Sequence, residues 1–582
     1  MCGITGILDY RHADGADHID AFTDALAHRG PDGRGTFVDG PVALGHRRLA
    51  ILDPTPAGAC PMAVACPDGT TVYITFNGEV YNFLELRAEL VRDGYRFRTD
   101  TDTEVVAASF HRWAEDCQLR FNGMWAFAIW SPATQSLFLS RDRFGVKPLY
   151  VHVRGSRVAF ASEIKAFLAL PGFSAAVNTD AVSAFFGNPV AFDGVSLSTA
   201  LAGVHRMPPG HSLTVTAEGA RGFRRWWETR DHLVAVPERY EEQVEQFRAL
   251  FLDAVRLRMR SDVRVGTSLS GGLDSSAVAS SMAHLAARRG GGSDPGSDFS
   301  RCASDWQRTF IATFPGHPED ERHFADTVVA HTGATPTYWT FDPERDLEDL
   351  AASVWALDDV SGAPAVPVYN IYRTMRANDV VVTLDGHGGD ELLAGYSWYR
   401  NLPAAGLGDA MYRDFHVTHL PTILRHFDGC SMANGVEVRS PFLDWQLVTY
   451  AFGLPASAKF DGTWTKRILR DALIGILPDA IRTRQSKLGF ESPLVGWANG
   501  ALGPVLLAAT ETDAWRDAPA SARGAEIAAI VRAKSGGGWT AADSTAATLA
   551  WRLLAYVVWC ERFVGRRSGL VGVGLEREMV AA

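Results

Sequence analysis

The chain has 582 residues, 47% of them hydrophobic, 21% charged and 10% aromatic, with a formal net charge of −11 from 56 basic and 67 acidic side chains. That length exceeds what one hydrophobic core organises and predicts two domains, with three as the upper alternative. The acidic balance excludes a general nucleic-acid or membrane-surface binder, and no run of 18 or more apolar residues offers a membrane span.

The N-terminus, MCGITGILDY, has neither a basic n-region nor a long apolar h-region, so it does not read as a signal peptide. Seven cysteines (Cys2, Cys60, Cys66, Cys117, Cys302, Cys430 and Cys560) are odd in number and irregular in spacing, which predicts free thiols in a reducing cytoplasm. Cys60 and Cys66 have no further Cys or His at zinc spacing.

Through the first 230 residues or so, short alternating runs predict strands: VALGHRRLAI (42–51), TVYITFN (71–77), MWAFAIW (124–130), SLFLSRD (136–142) and RVAFAS (157–162). Helical stretches lie between them, FLELRAELVRDG (83–94) and TEVVAASFHRWAED (103–116), giving a layered α+β domain. PERYEEQVEQFRALFLDAVRLRMR (237–260) predicts a long amphipathic helix with Val244, Phe247, Leu250, Phe251, Ala254 and Val255 on its apolar face. After it, VRVGTSL (263–269), TFIATF (309–314) and DVVVTLD (379–385) alternate with helical segments, the mark of a parallel sheet. The division is placed at residues 1–235 and 236–582. Residues 287–305, rich in Gly and Ser, predict a flexible surface loop, SGGGW (535–539) a shorter one, and the chain after about 565 has no clear period.

Removal of Met1 would expose Cys2 with a thiol and an α-amine on one residue. An α-amine titrates near 7.7–8.0, so it can be neutral at physiological pH and take a proton from the thiol or from attacking water. Cys2 alone is a weak signal. It is followed by HRGPDG (28–33), GHRRLAILD (45–53), FNGEVYN (76–82) and TDTE (101–104), in which glycine turns and charged groups adjoin apolar strands. Found in this order, these segments resemble the glutaminase domain of class II glutamine amidotransferases, an N-terminal nucleophile hydrolase fold. The resemblance implies Cys2 as nucleophile, Arg48 on the glutamine α-carboxylate, and Asp102 on its α-ammonium with Gly78 and Glu79 lining the substrate. Asn77 and the Gly78 backbone N–H would form the oxyanion hole. Arg47 is adjacent; Arg48 is chosen because it directly precedes the Leu-x-Ile run.

SLSGGLDSSAVASSMA (268–283) joins a buried strand to a helix through two glycines and several hydroxyls, an arrangement suited to an anion. GxxxxGK[ST] is absent, so this is not a Walker A loop. Asp274 in a phosphate loop calls for a cation, and Mg²⁺ is expected. The loop looks like the pyrophosphate loop of ATP pyrophosphatases, and TLDGHGGDELLAGY (383–396) is a second strand-end loop. With SMANGVEVRSPFLD (431–444), TKRILRDAL (465–473) and SKLGFESP (486–493), most of the chain resembles glutamine-dependent asparagine synthetase. An α/β parallel-sheet ATP-pyrophosphatase domain is therefore expected after the hydrolase sandwich. The resemblance implies ATP contacts at Leu269, Ser270, Gly271, Gly272, Asp274, Ser275, Ser276, Asp385 and Gly386. It further implies metal sharing by Asp274 and Asp390, charge stabilisation by Lys466, and a weaker phosphate role for Lys487.

Aspartate-specific members carry Ser-Gly-Glu-Gly at the second loop, where this chain has Asp385-Gly386-His387-Gly388. An imidazole there is suited to taking a proton from the attacking nitrogen. The expected activity is glutamine-hydrolysing, ATP-dependent amidation of a carboxylate through an acyl-adenylate, with ammonia passing between the sites along a shielded path. Aspartate is the default acceptor and a specialised-metabolite carboxylate the alternative. The sequence leaves the oligomeric state open, a homodimer being among the candidates.

Overall fold

A computed structural model describes residues 2–12, 15–288, 301–317, 320–485 and 492–565. The first half contains β1 (Gly3–Leu8), β2 (Gly33–Asp39), β3 (Val42–Arg48), β4 (Met62–Ala65), β5 (Thr71–Val80), β6 (Gly123–Ser131) and β7 (Ser136–Arg141). It continues with β8 (Tyr150–Arg154), β9 (Arg157–Ala161), β10 (His205–Arg206), β11 (His211–Thr216), β12 (Gly219–Ala220) and β13 (Arg224–Arg225). One antiparallel sheet has the order β10-β8-β9-β1-β3-β2; the other runs β12-β11-β7-β6-β5-β4, with β13 also on β11.

The two sheets close face to face because their alternating apolar residues meet between them. Ile4, Leu8, Leu44 and Phe160 of the first pack with Ala126, Ala128, Trp130 and Leu139 of the second. Helices Phe83–Arg92 and Asp102–Trp113 cover the outer face of the second sheet, where Leu86, Leu90, Val105 and Val106 join Val72, Ile74 and Phe76. On the first sheet, Ile7 and Ala43 share a core with Phe22, Ile164 and Phe167. This is the layered α+β sandwich expected of the first half.

Helix Tyr240–Arg258 buries Phe247, Phe251, Ala254 and Val255, four of the six positions predicted for its apolar face. The second half then builds one parallel sheet from β14 (Val265–Ser268), β15 (Arg308–Thr313), β16 (Thr335–Thr340), β17 (Val382–Leu384) and β18 (Glu437–Arg439). Its order is β16-β15-β14-β17-β18, and each neighbouring pair is parallel. Strands β14 and β17 lie side by side, so the loops that follow them open at the same edge of the sheet, where parallel α/β folds bind ligands.

The closing helix Ser544–Val564 buries Trp551 and Trp559 in a core that also holds Phe185 and Phe186 of the first half. No described helix is long and apolar enough to cross a membrane. The 535–539 loop corrects its sequence reading: Trp539 is buried, its N–H donates to Asn499 Oδ1 at 2.8 Å, and its carbonyl accepts from Asn499 Nδ2 at 2.9 Å. An indole anchors a segment whose glycine content suggested freedom. Most of the 287–305 loop, the stretch 486–491 with Lys487, and the chain after 565 lie outside the described residues.

Candidate active site

Cys2 sits just before β1, and its neighbours come from the strands beside it. Its N–H donates to Asn77 Oδ1 on β5 at 3.1 Å, and its carbonyl accepts from Arg29 Nε at 3.1 Å. The thiol lies 4.0 Å from the Leu49 carbonyl. Asn77 is fully buried, and its Nδ2 has no hydrogen-bond partner among the described residues. An orphaned buried donor is costly unless something completes it. Pointed away from the oxygen that holds Cys2, this amide is the donor an oxyanion hole requires.

A small cavity at the thiol is walled by Cys2, Arg48, Leu49, Cys60, Gly78, Glu79 and Asp102. Arg48 donates to the backbone carbonyls of Thr55, Leu52 and Asp53, at 2.8 Å, 3.4 Å and 2.5 Å, which fixes its guanidinium at the rim. Arg47 points elsewhere, to Asp24 at 3.3 Å, as strand alternation demands. Gly78 is pressed on β6: a Cβ there would stand 2.2 Å from the Met124 carbonyl oxygen. Asp102 opens helix Asp102–Trp113, which Thr101 caps through the Glu104 N–H, and its carboxylate accepts from the Val80 N–H at 2.8 Å.

Burial dominates the electrostatics. It raises the Cys2 thiol, against the lowering effect of the positive N-terminus, the Leu49 backbone and Arg48. It also pushes Asp102 up to about 7 and Glu79 well above the carboxylate range, Asp102 adding to the rise at Glu79. Two buried carboxyls with too little positive charge form a site prepared for a cation.

The second site is a cavity of about 570 Å³ at the ends of β14 and β17. Leu269, Ser270, Gly272, Asp274 and Ser275 line one side; Asp385, Gly386, His387, Asp390 and Glu391 line another. Asp385 ties the loops together, accepting from the Ser268 N–H at 3.0 Å, the Thr383 hydroxyl at 2.8 Å and the Tyr372 hydroxyl at 2.9 Å. Lys466 reaches in from a left-handed backbone position (φ 54°) and joins Asp274 and Asp390, the latter at 2.7 Å. The two carboxylates hold its ammonium charged and raise its affinity for the proton, against burial. Gly395 leaves the room this needs, since a Cβ there would meet Asp390 Oδ1 at 2.0 Å and Lys466 Cε at 2.2 Å.

Among the described residues no group of three or more His, Cys, Asp or Glu could hold a metal ion. The two carboxylates that meet at Lys466 nevertheless fit Mg²⁺, which takes one or two protein carboxylates and completes its shell with phosphate oxygens and water.

Not every sequence-derived candidate reaches this cavity. Ser276 is wholly buried and off the wall, because successive helix residues point about 100° apart and Ser275 takes the cavity side. Gly271 is also absent from the wall; it turns the chain at φ 79°, where a Cβ would stand 2.6 Å from the Ala325 nitrogen. His387 packs against Phe427 with ring centroids 3.9 Å apart and the planes tilted by 44°, and its buried Nδ1 has no hydrogen-bond partner among the described residues. Burial pushes its imidazole below the ordinary value, Asp385 opposing.

Sequence reasoning missed Tyr372, Phe427, Tyr396 and the fully buried pair Glu437 and Arg439. Arg439 Nη2 lies 3.2 Å from Glu79 Oε1, across the two halves of the chain. The signal was present: Glu437 and Arg439 alternate with Val436 and Val438, so two charges share one face of a short strand.

The Glutamine amidotransferase domain model matches residues 1–227, and the Asparagine synthase model matches 246–409 and 403–560. The chain is 32% identical over 541 residues to asparagine synthetase [glutamine-hydrolyzing] 3 of Bacillus subtilis, covering 83% of this chain and 86% of the relative. It is 28% identical over 610 residues to asparagine synthetase [glutamine-hydrolyzing] 1 of the same organism, covering 88% and 91%. With asparagine synthetase B [glutamine-hydrolyzing] of Escherichia coli the identity is 28% over 509 residues, covering 84% and 81%.

Proposed function

The chain belongs to the glutamine-hydrolysing asparagine synthetase family, and from that premise we propose that it converts aspartate to asparagine with ATP and glutamine. What supports the reading is that one chain holds two groupings: a cysteine beside an orphaned amide donor and two buried carboxyls, and a lysine held by two aspartates in a cavity of about 570 Å³.

In this reading the first domain, residues 1–235, binds glutamine with Arg48 on the α-carboxylate and with Asp102 and Glu79 at the α-ammonium. Cys2, freed of Met1, attacks the side-chain amide; its α-amine takes the thiol proton and returns it to the leaving nitrogen. Asn77 Nδ2 and the Gly78 N–H steady the oxyanion, ammonia leaves, and water hydrolyses the thioester to glutamate. In the second domain, residues 236–582, the aspartate side-chain carboxylate attacks the α-phosphorus of ATP, releasing pyrophosphate and forming an acyl-adenylate. Leu269, Ser270, Gly272, Ser275, Asp385 and Gly386 cradle the nucleotide, with Gly271 and Ser276 supporting the loop from behind. Lys466 offsets charge on the phosphates and on the tetrahedral intermediate. Asp274 and Asp390 would hold Mg²⁺, which supplies charge neutralisation at the phosphates when bound.

Ammonia then attacks the acyl carbon and AMP leaves. His387, kept neutral by burial and with an unused Nδ1, takes the proton from the incoming nitrogen. Ammonia must travel shielded from water, since protonation would remove its lone pair. Buried ion pairs dock the two domains: Arg29, braced by Glu163 of its own domain at 2.7 Å, reaches Asp428 at 3.0 Å, and Lys147 lies 3.3 Å from Asp428. Cys2, Cys60, Cys66, Cys117 and Cys430 are free thiols, which suits a reducing cytoplasm. Incubation with ATP, Mg²⁺, glutamine and aspartate tests the reading. Asparagine, pyrophosphate and glutamate in equal amounts are expected; glutamate without asparagine would move the acceptor to another carboxylate.

A further inference from the structure

Glu79 and Asp102 belong to the first half of the chain, but the cation beside Glu79 comes from the second. Arg439 Nη2 is 3.2 Å from Glu79 Oε1. Arg439 is fully buried and tightly held: its Nε lies 2.5 Å from Glu437 Oε1, and its Nη1 donates to the Arg258 and Arg260 carbonyls at 2.9 Å and 2.5 Å. A planar guanidinium anchored at two of its edges presents the third at a fixed place. The backbone carbonyl of Arg439 accepts from the Asp385 N–H at 2.9 Å, so the strand that carries this side chain also steadies the nucleotide loop.

The charges around the pair can be enumerated from each packed element. β5 supplies Glu79, with Tyr81 just beyond it; helix Asp102–Trp113 supplies Asp102; β18 supplies Glu437 and Arg439. The N-terminus acts on Glu79, while Arg258 and Arg439 act on Tyr81, Lys147 on Glu437, and Arg48 on Cys2 and Cys60. Three buried acids, Glu79, Asp102 and Glu437, thus surround Arg439 as their shared guanidinium.

We propose that Arg439 is a positioning residue of the glutamine pocket, supplied by the second half of the chain, which holds the Glu79 carboxyl in place and eases the loss of its proton when the α-ammonium of glutamine enters. The inference rests on the glutamine-hydrolysing reading above. A protonated carboxyl has no charge to offer an ammonium group, so the pocket binds glutamine only while its acids are ionised. Arg439 lowers the proton affinity of both Glu79 and Asp102. Without its charge, a proton would remain on the pair to higher pH, and glutamine would have to displace it. The glutamine site is then complete only when the two domains are docked.

The test measures glutamate release by the full-length protein from pH 6 to 9, comparing wild type with Arg439→Gln and Arg439→Lys. Arg439→Gln should raise KM for glutamine at pH 7 by about tenfold while kcat changes by less than about threefold, and should move the midpoint of the KM profile up by about one pH unit. Arg439→Lys, which keeps the charge but loses the fork, should hold the midpoint near wild type and recover part of the KM. An unmoved midpoint in Arg439→Gln, or identical profiles for the two variants, overturns the proposal. If Arg439→Gln does not fold, Arg439→Lys in a Glu79→Gln background decides: no further rise in KM supports the contact, and an additive rise overturns it. Wild type that releases no glutamate at any pH overturns the glutamine-hydrolysing reading and this proposal together. Active wild type with unshifted variants overturns this proposal alone.

Discussion

The two cavities solve opposite charge problems. At Cys2 two buried carboxyls share too little positive charge, and burial drives both toward protonation. At the nucleotide loops one lysine is already neutralised by two aspartates. In the proposed function the first site would receive the substrate's ammonium, and the second holds a cation that incoming phosphate would share, with Asp274 and Asp390 left to hold Mg²⁺. The first draws its candidate residues from positions 2 to 102, on or beside neighbouring strands, whereas the second gathers side chains from 268 to 485. A compact pocket tolerates little change in the sandwich. The dispersed one depends on a few glycines and a strained lysine backbone.

That contrast can be broken most severely at Lys466. Lys466→Met should cut pyrophosphate release by about a thousandfold, roughly 4 kcal/mol, with glutamine or ammonium as nitrogen source. Glutamate release should stay within about twofold of wild type, because the removed charge lies in the other cavity. Parallel pyrophosphate and glutamate assays on the same preparation check both halves of this expectation.

Gly395→Ala should act more mildly, lowering pyrophosphate release by about a hundredfold through displacement of the Lys466 and Asp390 side chains that its Cβ would strike. Pyrophosphate release that matches wild type would mean the lysine clamp is not needed in its observed form. His387→Gln should leave adenylation nearly intact but lower amide formed per pyrophosphate by about a hundredfold, the order of a general-base contribution at its low end. An unchanged product ratio and pH profile would remove His387 from the chemistry.

The smallest effect concerns proton linkage in the first pocket. Asp102 is pushed up to about 7, above an unfolded carboxylate near 3.9. Its protonated form therefore favours the folded empty pocket at low pH, and that stability is lost as pH rises through about 7. Glutamine replaces the proton with its ammonium group, so its stabilising effect grows with pH. In a Cys2→Ala variant, which cannot turn the ligand over, glutamine should raise Tm by a few degrees more at pH 8 than at pH 6. An equal shift at both pH values would contradict the cation-seeking account of Glu79 and Asp102.

Strands and motifs showed in the sequence where local pattern decides the outcome. Alternation in residues 71–77 and 124–130 announced β5 and β6, and Ser-Gly-Gly beside an apolar run announced the nucleotide loop. What stayed hidden depends on contacts between distant segments. Trp539 looked like part of a loose glycine stretch until Asn499, 40 residues away, fixed it. Arg439 lay within a quoted motif, yet nothing local could say that Glu79 would be its partner. Ser276 shows the same limit: its motif groups it with Ser275, and only the helix shows that Ser275 faces the cavity while Ser276 is buried behind it.

The central claim is that nitrogen released at Cys2 is used at the adenylate cavity of the same chain. It is tested most directly by Cys2→Ala with ATP, Mg²⁺ and aspartate, supplied with either amide-¹⁵N glutamine or ¹⁵N ammonium. The account predicts ¹⁵N-labelled asparagine from ammonium at a rate within about twofold of wild type, and none from glutamine. Labelled product from glutamine in this variant would contradict it.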